Sequence, residues 1–106
     1  MSQQQEIFAT TADEIPGYMV IQILGIVVGT SLLYKKFDLN KEEEVKKFLE
    51  LSEKARIVAM NEMIKKAKEF NSNAIISVRF DSHRINDEYD EIIAYGTAVK
   101  VIKNIH

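Results

Sequence analysis

The chain has 106 residues, a formal net charge of −2 and no cysteine. That length supports a single domain with a modest core, and the interleaved charges create no field that selects nucleic acid. Without thiols there are no disulfides, no thiolate catalysis and no thiolate-ligated zinc or iron–sulfur site, a composition compatible with the reducing cytoplasm, where the protein is expected to reside. One domain is expected over residues 1–106, with a polar tail over 1–5.

The opening segment MSQQQEIFATTADE has neither a basic start nor a small-residue cleavage site after an apolar run, so no cleavable secretory signal is expected. Ile7 to Thr11 is short, apolar and β-branched and predicts a first strand. Pro16-Gly17 then predicts a turn, because proline presets φ and glycine accepts the positive φ that follows.

Ile15 to Tyr34 is uncharged, with acids before it and Lys35 and Lys36 after it. Such a stretch can be read as a membrane-spanning helix over residues 15–34, with Gly25 and Gly29 at helix-pairing spacing and the lysines on the cytoplasmic side. Read in water, Val20, Ile21, Ile23, Ile26, Val27 and Val28 favour a strand because β-branched side chains suit the pleated conformation. Gln22, Thr30 and Ser31, the preceding turn and the later strands favour the second reading, which excludes a membrane. A strand from Tyr18 to Leu32 would span roughly 50 Å and is expected to bend at Gly25 and Gly29. Apolar on both faces, it needs more cover than a two-layer monomer provides.

From Asn40 the period changes. Asn40 and Glu43 have the spacing of a capping box, and Val45, Phe48, Leu49, Ser52, Ala55, Ala59, Met63, Ala67 and Phe70 then recur at helical steps against a charged outer face. The resulting helix, about 45 Å long, is expected to break near Ser52 or to reach over a neighbouring subunit. Asn71 is expected to end it in the left-handed conformation. Met60 and Met63 read as packing residues, and Lys65, Lys66 and Lys68 as a solvated face.

Ala74 to Ser82 predicts a half-buried strand with Ile76, Val78 and Phe80 on one face. After a polar connection over His83 to Asp90, Glu91 to Ile102 predicts the last strand. Its Ala94, Gly96 and Ala98 would let a helix approach. The expected class is α+β: two layers in β-β-α-β-β order, one long amphipathic helix on an antiparallel sheet.

Thr10-Thr11, Leu24 to Gly29, Lys54-Ala55-Arg56, Asn73 to Asp81 and Ala94 to Val99, in this order and spacing, resemble the YbjQ-like family, which carries a heavy-metal-binding label. The resemblance implies a dodecin-like helix-on-sheet subunit that assembles with itself into a ring, a pentamer. The family usually has glycine where this chain has Asn71.

The candidate metal ligands are Asp81 and His83, two apart and therefore on one face of a continuing strand, with Asp87, Glu88, Asp90 and Glu91 following. Carboxylate and imidazole suit a divalent transition metal such as zinc, nickel or copper when three or four ligands converge. The plainer reading is a polar loop whose acids keep it in water, and its pattern is not that of an EF-hand. Ser82 and His83 point to opposite faces of a strand and form no nucleophile–base pair, and Gly25 and Gly29 lack the lysine of a phosphate-binding loop. The expected function is a homo-oligomeric, non-enzymatic module that binds a metal ion or small ligand. The alternatives are a single-span membrane protein and an enzyme of unknown reaction.

Overall fold

The computed structural model describes residues 6–105, so the polar tail expected over 1–5 lies outside the described residues. Strands β1 (Phe8–Ala9), β2 (Tyr18–Tyr34), β3 (Ala74–Arg84) and β4 (Tyr89–Lys103) form one sheet, and helix α1 (Glu42–Glu69) packs on one of its faces. The strand order is β1-β3-β4-β2. The expected α+β class and element order therefore hold. The sheet is antiparallel except at β1, which adds to the edge of β3 in parallel. A parallel neighbour requires a long connection, and here β2 and α1 intervene between the two. The chain from Thr10 to Ala12 extends the contact, with Val78 N–H donating to Thr10 and Ser77 N–H to Ala12. It then crosses the sheet end, where Ile15 packs with Ala74, Val99 and Val101.

The uncharged stretch is a strand of 17 residues. No helix among the described residues is long and apolar enough to cross a membrane, which removes the span over 15–34. Register shifts fall between Val20 and Gln22 and between Ile23 and Gly25, and Gly25 has φ +145°, so it is the bend the sequence suggests. Gly29 plays a different part. A Cβ there would collide with the backbone of Ala59 and Met63, so this glycine is the point where helix and strand touch backbone to backbone. Ser31 Oγ donates to the Ala55 carbonyl at 2.6 Å and fixes the same contact one pleat further on.

Helix α1 runs unbroken for 28 residues. Ser52 does not interrupt it, because its hydroxyl accepts from the Arg56 guanidinium at 2.9 Å instead of competing for helix backbone. The capping box at Asn40 and Glu43 does not form: the N-cap is Lys41, without a side-chain cap. Asp38 accepts from Asn40 N–H while Glu44 accepts from Asp38 N–H, both at 3.1 Å, which ties the entry one turn earlier. At the other end Asn71 adopts φ 60°, and Ser72 N–H and Asn71 N–H return to Ala67 and Lys68. These are the paired bonds of a Schellman cap.

Strand β3 carries a bulge that simple alternation misses. Ser77 has φ 56° and the register shifts between Ile76 and Arg79. Val78 and Ile75 therefore enter the helix-side core, while Ile76 packs with the opposite cluster instead of sharing a face with Val78 and Phe80. The core comprises Val27 and Leu33 of β2, Ala55, Ala59, Met63 and Ala67 of α1, Ile75 and Val78 of β3, and Ile92, Ala94 and Ala98 of β4. Ala94 and Ala98 face the helix in this core as expected, whereas Gly96 between them lies against Ile75 and Val78, and helix and strand meet backbone to backbone at Gly29.

The two glycines of β2 give distinct expectations for equilibrium unfolding in denaturant. Gly29→Ala must push helix from sheet, since its Cβ would overlap the Ala59 carbonyl oxygen, and is expected to cost about 3 kcal/mol or more. Gly25→Ala meets no atom within 4 Å and is strained only through its backbone at φ +145°, so a loss of about 1–3 kcal/mol is expected. An equal or smaller loss at Gly29 would contradict the close packing.

Candidate functional site

Strand β2 stands at the sheet edge, so its outer backbone groups have no ladder partner among the described residues. Only its C-terminal half is covered by α1, through Val27, Gly29 and Leu33, which are buried. The pleat sends Ile26, Val28, Thr30 and Leu32 to the other side. Ile26 is 75% exposed and Leu32 61%. Toward the N-terminal half every residue from Tyr18 to Ile23 is exposed, and Ile23 reaches 73%. A long apolar edge strand of this kind invites another chain, through its backbone as well as its side chains.

The antiparallel registers define the open face beside this edge. Val28 aligns with Tyr95 and Arg79, Thr30 with Ile93 and Asp81, and Leu32 with Glu91 and His83. Asp81 and His83 do share a strand face, both exposed, and Glu91 stands directly across from His83. That pairing escapes a reading of the sequence because β3 runs on to Arg84 and the connection shortens to Ile85–Glu88. Asn86 Oδ1 accepts the N–H groups of Glu88 and Tyr89 at 2.8 and 2.9 Å and closes this turn.

The other acids are engaged elsewhere. Asp90 lies on the helix side and receives the Lys35 ammonium at 2.7 Å, and Asp87 pairs with Arg84. Among the described residues no group of three or more His, Cys, Asp or Glu side chains converges to hold a metal ion. With no thiolate in the chain and no third converging ligand, the residues of one chain do not fit a resident soft-metal centre. Ser82 aligns with Ile92 on the helix side, away from His83, so no nucleophile–base pair is assembled from these neighbours.

Comparison with known proteins agrees with this architecture. Residues 7–102 match the YbjQ family model, described as "Putative heavy-metal-binding". A UPF0145 protein of Saccharolobus islandicus is 44% identical, with 95% of this chain and 96% of the relative covered. One from Sulfurisphaera tokodaii is 40% identical with 97% of each covered. A solved structure from Pediococcus pentosaceus, a protein of unknown function in the DUF74 family, superposes with a TM-score of 0.65. It is 21% identical and covers 91% of this chain and 98% of its own, a likeness that establishes the fold. The chain belongs to the UPF0145 family of YbjQ-type proteins.

Proposed function

We propose that this chain is a self-assembling, non-enzymatic module whose copies join through β2 into a closed ring, a pentamer in line with the family resemblance. The observation that carries the reading is the exposed apolar strand. Burying a large aliphatic side chain fully stabilises by about 1.5–3 kcal/mol. Met19, Ile21, Ile23, Ile26 and Leu32 are each about half exposed or more. Together they supply roughly 5–10 kcal/mol, comparable with the rigid-body cost of association. Backbone pairing along the free edge adds to this gain.

The sheet also has a second free edge. β1 and its extension end opposite Val78, leaving β3 from Arg79 to Arg84 without an outer partner among the described residues. Two different open edges on one sheet support a head-to-tail contact, which closes into a ring, over a two-fold dimer. In light scattering after size exclusion, the expected mass is five times the 12.2 kDa chain. Replacing Ile23 and Ile26 by glutamate is expected to yield folded monomer. A wild-type monomer at micromolar concentration would overturn the proposal.

A second reading has one favourable observation, the alignment of Glu91 with His83 beside Asp81. The three do not converge within one chain, so this reading takes Asp81 and His83 as the ligands of a borderline divalent metal, one pair per subunit, with the coordination completed by another copy. Calorimetric titration of tag-free protein with zinc or nickel is expected to release heat that His83→Ala abolishes. No heat, or heat unchanged in the variant, would end this reading.

A further inference from the structure

A groove of about 410 Å³ opens on the helix side of the sheet, away from the assembly strand's exposed face. Its floor is Leu33 and Ile92, both core residues, and Phe48 of α1 and Phe80 of β3 form its walls. Phe80 is 42% exposed because α1 lies over β2 and β4 and leaves this part of β3 bare. The volume falls within the range of small-molecule sites, which are typically apolar with a few placed polar groups.

The polar groups here are few. Arg56 and Ser52 stand one helical turn apart on the wall, and the Arg56 guanidinium donates to Ser52 Oγ at 2.9 Å. Arg56 has no carboxylate in ion-pair reach among the described residues, unlike Lys66 and Arg84. At the far end Asp90 is already neutralised by Lys35 at 2.7 Å. Asp81 also borders the groove, but strand alternation directs its carboxylate to the opposite face, with His83. The one uncompensated charge is therefore a guanidinium with four free N–H donors, set beside an apolar floor.

We propose that this groove binds a small amphipathic carboxylic acid: Arg56, helped by Ser52, holds the carboxylate, while Leu33, Ile92 and the two phenylalanine rings hold the apolar part. A carboxylate fits because guanidinium binds it with two parallel, charge-assisted bonds. A neutral alcohol of equal length would lose those bonds while keeping the apolar contact. The inference does not rest on the Asp81–His83 reading, which uses the other face of the sheet; Phe80 and Ser82 belong to the β3 edge that the proposed ring pairs, so the test is made on the assembled protein.

The test is titration of the full-length protein with octanoate, followed by saturation-transfer NMR and calorimetry, with octanol and octylammonium as controls of the same chain length. Saturable binding of octanoate is expected, with octanol weaker by about tenfold or more. Arg56→Gln, on the exposed rim, should weaken octanoate by a similar factor and leave octanol unchanged, and circular dichroism confirms that the variant is folded. Ser82→Trp, which fills the groove from β3, should remove binding of both. No saturable octanoate binding, equal affinity for octanol, stronger binding of octylammonium, octanoate affinity unchanged by Arg56→Gln, or octanoate binding that survives Ser82→Trp would overturn the proposal.

Discussion

Helix and sheet meet where β2 carries no side chain. At Gly29 the backbone of the strand lies against Ala59 and Met63, and the small residues Ala55, Ala59 and Ala67 keep the helix close on either side. Larger residues at these positions would hold the two layers apart and open a gap that the core could not fill. This contact sets where the helix lies along the sheet. What it does not reach is left to other cover or stays open: the first third of β2, the opposite face beyond the patch under Ile15, and the outer half of β3.

That placement explains why one strand is buried on one side and bare on the other. The C-terminal half of β2 alternates between core and surface in the ordinary way, whereas Tyr18 to Ile23 lie past the helix and, Gln22 apart, have apolar side chains without cover. The chain uses its own crossing segment to cover part of the second face, since Ile15 closes over Ala74, Val99 and Val101. The cover ends there. Beyond it Ile26, Val28 and Leu32 flank half-buried Ile93 and Tyr95, and the apolar surface continues to the free edge. A surface of this character, next to unpaired backbone, is the physical basis of the assembly proposed above.

Much of the fold was legible in the sequence, for definite reasons. The β-branched content marked β2 as a strand, and Gly25 and Asn71 were legible because each occupies a positive-φ position that few other residues tolerate. Ser77 was not legible, since serine gives no hint of a left-handed bulge; its conformation is fixed by tertiary bonds to Ala12 and to Asp13, whose carboxylate accepts the Ser77 hydroxyl at 2.7 Å. The parallel placement of β1 depends on edge pairing with a strand more than sixty residues away. Asn40 looked like a cap because local spacing cannot show that Asp38 and Glu44 take the entry contacts instead. For the site, Asp81 and His83 were visible as a strand pair with four acids following, but only the hairpin register singles out Glu91 among them as the one across from His83.

The most direct test of the account is hydrogen–deuterium exchange along β2 in the native protein at micromolar concentration. If another copy covers the edge, the outward amides of β2 should exchange at least about a hundredfold more slowly than those of an unstructured peptide. Outward amides that exchange at the rate of free peptide, while their neighbours bonded to β4 stay protected, would show a bare edge and contradict the account.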